Sequence, residues 1–334
     1  MLRDENFYQT TLNWLLEPDD PGVRYLALRD LTKLPTDDPE FISAREKAYE
    51  NGPIAHVLKN MHPEGYWSKP GPGYSPKYRS IVWVLILLAQ LGASVEHDQR
   101  IKTACNYLMA HAYSEGGYFS HNGVFSRTFD CLQGNLCWAL TSLGFKDPRL
   151  EDAFEWMARS VTGEGVAPKT DTEAALRYYE FNCGPVFQCS ANAGLPCAWG
   201  AAKIMLAFSL LTKDQLTAPI QRAIQTGVDF IFNVEPTKAN WPFRKEISRA
   251  WWKFGFPVYY VTDLLQISEA LVPLGYGSDP RMQSLFKLIQ NKADPQGRWK
   301  LEYEYNAKTW GSYGTKGEPN KWVTLRALRV LSAI

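Results

Sequence analysis

Apolar and polar residues alternate along this chain in two distinct helical patterns. In the first pattern, apolar residues recur at positions i, i+3, i+4 and i+7, so that one face of a helix is apolar and the opposite face is polar. The clearest copies cover 101–108, 150–157 and 282–289, with weaker copies at 224–231 and 41–48. Each copy predicts an amphipathic helix with one buried face.

The second pattern is apolar on nearly every side. It covers 81–91, 132–143, 198–211, 258–274 and 322–331, with a weaker case at 23–31. A helix that is apolar all round is buried all round. About six buried helices alternating with amphipathic ones predict an all-α fold, an (α/α)6 toroid with the buried helices as the inner ring. An open α-solenoid, in which every helix keeps an exposed face, fits this pattern less well.

A repeated phrase accompanies the helices. Three of the amphipathic stretches follow the same motif, which consists of Leu-Gly, a short gap and Asp-x-Arg. The three copies of this motif begin at Leu91, Leu143 and Leu274. A glycine followed by aromatic residues often comes after such a stretch, as in Gly65-Tyr66-Trp67, Gly117-Tyr118-Phe119 and Gly297-Arg298-Trp299. A spacing of roughly 50–65 residues is typical of one supersecondary unit copied several times. We expect one toroidal domain over residues 1–334.

These glycine-aromatic repeats resemble the prenyltransferase and squalene-cyclase repeat. That superfamily includes class II terpene cyclases, protein prenyltransferase β subunits and complement-type thioester domains. In length the chain is similar to single-domain bacterial meroterpenoid cyclases and squalene-cyclase-like proteins. The resemblance implies a toroid that protonates and cyclises an isoprenoid substrate. The squalene-cyclase Asp-x-Asp-Asp signature is absent, and so is the prenyltransferase zinc set, because Leu195 stands where that set has Asp before Cys197.

Composition narrows the classes of partner. The 334 residues carry a formal net charge of +1, which gives no sign of a nucleic-acid partner. The longest apolar run, 81–89, is too short to span a bilayer, and the N-terminal residues do not resemble a secretory signal. We therefore expect a cytoplasmic protein, with peripheral membrane contact and the oligomeric state left open. Twelve Trp, 17 Tyr and 16 Phe exceed what a core needs, so part of this set is expected to line a cavity.

A class II cyclase needs one carboxylic acid that stays protonated in a dry cavity, and aromatic faces that stabilise a carbocation. Asp130, which opens one inner helix, is the predicted proton donor, with Asn135 or His121 as its helper and Asp263 as a second candidate acid. The structural alternatives are a helix N-cap for Asp130, a solvated loop residue for His121, and a carboxylate paired with an arginine or with backbone for Asp263.

Seven aromatic residues near inner-helix positions are predicted to bind the substrate, although each could instead be part of the core. They are Trp67, Trp83, Trp138, Trp199, Tyr259, Tyr260 and Trp322. An irregular insertion at 170–196, which contains Tyr178 and Tyr179, is predicted to be a functional loop. Arg326 and Arg329 could hold an anionic head group, or could form ion pairs between repeats.

No cofactor is expected, except Mg²⁺ if the substrate is a diphosphate. Zinc held by Cys131, Cys183 and Cys197 is the alternative, but their spacing matches no standard ligand pattern, and buried thiols are favoured. The leading hypothesis is a class II-type terpenoid or meroterpenoid cyclase. A non-catalytic isoprenoid- or lipid-binding toroid is the second hypothesis. The third is a carbohydrate-active (α/α)6 enzyme, whose usual pair of carboxylates has no clear counterpart here.

Overall fold

The computed structural model describes residues 5–124, 128–167, 170–171, 173, 183–243 and 247–334, which form thirteen α-helices and one short hairpin. The helices are α1 Glu5–Leu15, α2 Pro21–Ala27, α3 Pro39–Glu50, α4 Pro53–Leu58, α5 Ile81–Gln90, α6 Gln99–Ala112, α7 Asp130–Ser142, α8 Arg149–Thr162, α9 Ala198–Phe208, α10 Ala218–Phe232, α11 Leu264–Leu271, α12 Gln283–Asn291 and α13 Lys321–Leu331. Strands β1 Tyr113–Ser114 and β2 Tyr118–Phe119 pair antiparallel.

Six helices form an inner ring: α2, α5, α7, α9, α11 and α13. Consecutive members pack against each other from α5 to α13, and α13 also packs against α2. The ring closes where the Tyr25 hydroxyl of α2 donates to the carbonyl oxygen of Gly92, just after α5 (3.3 Å). Helices α1, α3, α6, α8, α10 and α12 lie outside. The predicted all-α, (α/α)6-type toroid is confirmed, and ring closure distinguishes it from an open solenoid.

Burial along the helices follows the two sequence patterns. Every residue of α5 except Gln90 is buried, and so is every residue of α9 except Trp199. Outer helices bury one stripe, as in α8, where the two acidic residues of the first turn, Glu151 and Asp152, face solvent. Helices α7 and α9 approach closely, since a Cβ on Gly134 would lie 2.3 Å from the Lys203 carbonyl carbon. Glycine is therefore required at this crossing.

The repeated Asp-x-Arg phrase forms the short connection from an inner to an outer helix. Gly92, Gly144 and Gly275 turn the chain with φ of +77°, +74° and +94°, conformations that favour glycine. The following aspartate then accepts the backbone N–H of the arginine two residues later and pairs with its guanidinium. In the first copy these two distances, Asp98 to Arg100, are 2.9 Å and 2.6 Å.

The Gly-aromatic phrase closes the outer helices. The Trp67 indole N–H donates to the carbonyl oxygen of Val57 (2.9 Å), and the Trp299 indole donates to Ile289 (2.7 Å). Trp241, which lies outside the predicted phrase, makes the same bond to Phe230 (3.0 Å). Each of these carbonyls also accepts the backbone N–H of the residue three positions later, so the indole supplies a second hydrogen bond near the helix C-terminus. Trp67 is thus fully buried in the scaffold and does not line the cavity described below, contrary to its predicted place in the substrate site.

The connections differ in length at the two ends of the inner ring. Segments 91–98, 143–148 and 209–217 leave inner helices and are short, whereas 59–80, 113–129, 163–197, 233–263 and 292–320 lead into inner helices and are long. The predicted inner helix at 258–274 begins only at Leu264. Asp263 is its N-cap, accepting the N–H of Gln266 (2.8 Å), so Tyr259 and Tyr260 belong to the preceding loop. The long loops gather at the N-terminal ends of the inner helices.

Candidate active site

A cavity of about 640 Å³ opens at the end of the toroid where the long loops gather. Inner helices α7 and α9 form one side of it, and loop residues form the rest. Its lining residues are Tyr74, Lys77, Phe129, Asp130, Cys131, Cys189, Ala191, Asn192, Cys197, Trp199, Gly200, Phe243, Ser248 and Tyr260. A cavity of this size, mostly apolar with a few polar groups, is typical of a small-molecule site.

Asp130, the first residue of α7, is the acidic group of this cavity. Its side chain is 4% exposed, and neither carboxylate oxygen has a hydrogen-bond partner among the described residues. Burial raises the pKa of the Asp130 carboxyl well above its usual range, and the nearby Cys189 sulfur raises it further. Both effects favour the protonated acid, so the group can donate a proton to a bound molecule.

Aromatic faces and one cation surround the acid. The rings of Trp199 and Tyr260 lie 6.2 Å apart in an edge-to-face arrangement. The Lys77 ammonium lies 4.5 Å from the Tyr260 ring centre and 5.0 Å from that of Tyr74. The buried indole N–H of Trp199 has no hydrogen-bond acceptor among the described residues. The wall can therefore stabilise a positive charge and can donate one hydrogen bond to a ligand.

Trp83 and Tyr259 form a second layer behind this wall. The Trp83 indole N–H donates to the carbonyl oxygen of Tyr74 (2.8 Å), and the Trp83 ring contacts Tyr74, Tyr259 and Tyr260. The Tyr259 hydroxyl is bonded to Thr309. These two predicted substrate residues support the cavity wall and do not line it.

The two predicted helpers of Asp130 lie near it but outside the cavity lining. The His121 ring packs edge-on against Tyr74 (5.7 Å) and against Phe129 (5.5 Å), two of the lining residues. Asn135 is buried on α7, more than one turn beyond Asp130. An orienting role for either residue stays a prediction.

Asp263 is held in a buried ion pair. Its two oxygens accept from Arg326 Nη1 and Nη2, each at 3.0 Å, and also from the N–H groups of Gln266 and Gly255. Arg326 further donates to Glu269 (2.7 Å). With both oxygens occupied, Asp263 matches the structural alternative, a buried carboxylate bonded to arginine and backbone.

Two predicted aromatic residues lie at other places in the toroid. Trp138 lines a separate cavity of about 460 Å³ at the opposite end of the inner ring, together with Arg326 and Arg329. Trp322 stacks on Phe256 with ring centres 4.5 Å apart and faces a third cavity of about 340 Å³. Neither lines the cavity that holds Asp130. Of the seven predicted aromatics, Trp199 and Tyr260 do.

Sequence reasoning missed the loop residues of the site: Tyr74, Lys77, Phe129, Phe243 and Ser248. A signal for part of this set is present in the Pro- and Gly-rich segment 70–76, a composition typical of a loop. The described part of the insertion at 170–196 contributes Cys189, Ala191 and Asn192, whereas Tyr178 and Tyr179 lie outside the described residues.

The three cysteines named as zinc ligands in the alternative prediction do not all lie in one site. Cys131 and Cys197 line the cavity, and Cys183 is buried and does not line it. Within the described ranges, no group of three or more His, Cys, Asp or Glu side chains could hold a metal ion. That no cofactor is needed stays a prediction. A search of the helices in the same ranges finds none with the length and apolar character needed to cross a membrane.

Comparisons with known proteins identify neither a family nor an activity for this chain. No family model matches the chain, and no curated protein does. Among solved structures, an unsaturated glucuronyl hydrolase from Bacillus sp. GL1 is 14% identical, with a TM-score of 0.47 over 99% of this chain and 87% of that one. A family 76 glycoside hydrolase from a bovine Bacteroides thetaiotaomicron strain is 12% identical, with a TM-score of 0.48 over 98% and 68%. The type II terpene cyclase MstE from Scytonema, in complex with geranylgeranyl dihydroxybenzoate, is 13% identical, with a TM-score of 0.35 over 84% and 95%.

Proposed function

We propose that this protein is a protonation-initiated, class II-type cyclase of a terpenoid or meroterpenoid substrate, and that Asp130 is its proton donor. One observation carries the proposal: a buried carboxyl group, without a partner among the described residues, in a cavity lined by aromatic rings. An acid of raised pKa that is desolvated and aimed at bound substrate is the arrangement that alkene protonation requires.

The proposed reaction is an isomerisation. The Asp130 O–H bond breaks as a C–H bond forms at one alkene carbon, using the alkene π electrons and leaving a cation on the other carbon. A second double bond of the substrate attacks that cation and forms the ring C–C bond. Loss of a proton from carbon ends the reaction, and the Asp130 carboxylate regains a proton from water. No atom is gained or lost overall.

The aromatic wall suits the cationic intermediates. Each ring face that contacts a cation contributes about 0.5–2 kcal/mol, depending on how far the site excludes water. Tyr74, Trp199 and Tyr260 present such faces in the same cavity as Asp130. Lys77, at the rim, offers an ammonium group to an anionic end of the substrate, such as an aromatic carboxylate. A prenylated aromatic acid therefore fits both parts of the site.

A carbohydrate-active enzyme is the second candidate, because Trp199 and Tyr260 could stack on sugar rings. Glycoside hydrolysis ordinarily uses two carboxyl groups that flank the scissile bond. Among the described lining residues, Asp130 is the one carboxyl group. The proposal therefore favours single-acid protonation of a double bond over two-carboxylate hydrolysis.

The test incubates purified protein with prenylated aromatic acids, including geranylgeranyl dihydroxybenzoate, and follows products by chromatography with mass detection. A cyclase gives a product of unchanged mass and altered retention. Asp130→Asn should lower the rate by at least about 10²-fold, the usual contribution of a general acid, while ligand quenching of tryptophan fluorescence persists. Asp147→Asn, at a part-buried ion pair with Arg149, is the matched control and should retain full activity.

Three results would contradict the proposal. Unchanged turnover by the Asp130→Asn variant would remove Asp130 from the chemistry. Tight binding by the wild-type protein without any conversion, across the substrate panel, would indicate a non-catalytic binding toroid. Cleavage of oligosaccharides in place of cyclisation would indicate the carbohydrate-active class.

A further inference from the structure

Two cysteines stand side by side in the wall of the Asp130 cavity. Cys189 and Cys197 flank an antiparallel bridge between Gln188 and Pro196. The Cys197 N–H donates to the Phe187 carbonyl oxygen (2.9 Å), and the Cys189 N–H donates to that of Leu195 (3.2 Å). Residues 189 and 197 therefore project from the same face of this short ladder, and both line the cavity.

The two sulfur atoms have unequal surroundings. The Cys189 sulfur lies beside the Cys197 thiol and near the backbone N–H groups of Ala191 and Asn192. These contacts lower the pKa of Cys189, whereas the contact with Cys189 and burial raise the pKa of Cys197 well above its usual range. The pair therefore favours a thiolate on Cys189 beside a thiol on Cys197.

We propose that Cys189 and Cys197 form a redox-sensitive thiol pair in which Cys189 is the nucleophile and Cys197 the resolving thiol. The Cys189 thiolate attacks one sulfur of a small disulfide such as glutathione disulfide. A mixed disulfide forms, and one glutathione thiolate leaves. Cys197 then loses its proton to water, attacks the Cys189 sulfur of that mixed disulfide and releases the second glutathione. The protein is oxidised to an internal disulfide, and glutathione disulfide is reduced to two glutathione molecules.

This exchange would change the cavity itself. Cys189 lies close enough to Asp130 for its charge to raise the pKa of that carboxyl. An internal disulfide carries no charge, so oxidation removes this influence from the acid. The thiol chemistry does not depend on the cyclase proposal, because it is measured on the protein without substrate.

Cys131 lies in the wall of the same cavity and serves as an internal control for thiol reactivity. It lies one residue after Asp130 and also lines the wall, but burial raises its pKa to about 12. Its thiolate is therefore scarce at neutral pH. Cavity access alone predicts similar reactivity for Cys131 and Cys189, whereas the proposed pair predicts a large difference.

The experiment treats the reduced full-length protein with glutathione disulfide at about pH 7, blocks remaining thiols with iodoacetamide and maps each cysteine by mass spectrometry. We expect a peptide in which Cys189 is disulfide-linked to Cys197, and at least about tenfold slower modification of Cys131, because it lacks thiolate. The Cys197→Ser variant should accumulate glutathione on Cys189, and Cys189→Ser should leave Cys197 reduced.

The opposite pattern would overturn the proposal. Modification of Cys131 at the rate of Cys189, or a Cys189 that stays reduced in the wild-type protein, would each contradict it. Both readings come from the wild-type chain, so they hold even if a serine variant does not fold. Between about pH 7 and pH 6 the rate of Cys189 alkylation should also fall much less than that of an ordinary thiol, which has a pKa of about 8.5 and loses about tenfold of its thiolate over that unit.

Discussion

Replacing Asp130 with asparagine tests whether the fold holds this carboxyl group in its protonated form. The group is buried in the cavity wall, and no described residue donates a hydrogen bond to it. In the unfolded chain an aspartate has a pKa of about 3.9. Burial raises the folded pKa well above that value, so the folded protein binds this proton more tightly than the unfolded chain does.

The raised pKa of Asp130 makes the stability of the folded protein depend on pH. The contribution of Asp130 to stability is most favourable below the unfolded pKa and falls as pH rises toward the folded pKa. Across that interval the wild-type protein loses about 1.4 kcal/mol of unfolding free energy per pH unit through this one group. Asparagine does not titrate. The unfolding free energy of the Asp130→Asn variant should therefore increase relative to that of the wild type as pH rises, with a slope that approaches this value just above about pH 5.

Urea unfolding of both proteins, followed by circular dichroism at several pH values between about pH 5 and 8, measures the difference in unfolding free energy. A constant cost of the buried amide shifts the difference but leaves its slope unchanged. Asp147→Asn is the flat control: Arg149 holds the pKa of Asp147 below its usual range, so this carboxyl is ionised in both the folded and the unfolded protein across the assay range and adds no slope. A flat difference for Asp130→Asn would refute the protonated-acid reasoning and, with it, the proposed proton donor.

Three further substitutions follow from other contacts. Lys203→Met should stabilise the protein by about 3–5 kcal/mol at pH 7 in urea unfolding, because burial lowers the pKa of the Lys203 amine to about 7. The variant should lose this advantage near pH 10. An equal effect at both pH values would contradict this prediction. Trp67→Phe should cost about 1–3 kcal/mol in the same assay, because it removes the indole hydrogen bond to the Val57 carbonyl and part of a fully buried side chain. Trp199→Phe should leave stability nearly unchanged and weaken ligand binding. The reverse pattern would exchange the roles of the two tryptophans. Arg326→Met should destabilise the protein by about 3–5 kcal/mol, because it leaves the buried Asp263 carboxylate without its ion-pair partner. Adding Asp263→Asn to the same chain should recover part of the loss. If stability is not recovered, the pairing is contradicted.

The sequence predicted the ring of helices well because its signal is local and repeated. An all-round apolar helix such as α5 needs burial on every side, and an amphipathic helix such as α8 needs burial on one. The Asp-x-Arg phrase is equally local, since each aspartate bonds the arginine two residues later. Patterns of this kind are readable without knowing which helices become neighbours.

The site was harder to predict because residue type indicates burial but not which cavity a side chain faces. Trp67 and Trp199 were both predicted to bind the substrate, yet Trp67 donates a hydrogen bond to the last turn of α4, whereas Trp199 lines the Asp130 cavity. Tyr74 and Phe243 reach the cavity from loops whose paths depend on tertiary contacts. Asp130 was identifiable because it is an acidic residue that opens a helix of otherwise mostly apolar sequence. The structural alternative, a helix N-cap, is not realised, since Phe129 occupies that position.

The polarity of the inner ring explains why chemistry is expected at one end and ion pairs at the other. Helix C-termini carry partial negative charge, which favours nearby cations. Arg329, in the last turn of α13, and Arg29, just after α2, lie at that end and both pair with Asp30. Arg326, part of the same cavity wall, is paired with Asp263 and Glu269. Their charges are accounted for by helix ends and carboxylates without any anionic ligand.

At the opposite end the long loops enclose the N-termini of α7 and α9, and there Asp130 and Trp199 have polar atoms without partners among the described residues. An unpaired buried polar group destabilises a fold by about 1–3 kcal/mol. Arg329 Nε, at the first end, also lacks a hydrogen-bond partner among the described residues, so unpaired atoms alone do not distinguish the two ends. The second end differs because its unpaired acid and indole N–H share one aromatic-lined cavity. If the Asp130→Asn variant proves more stable at neutral pH but inactive, the cost in stability and the chemistry will have been traced to the same carboxyl group.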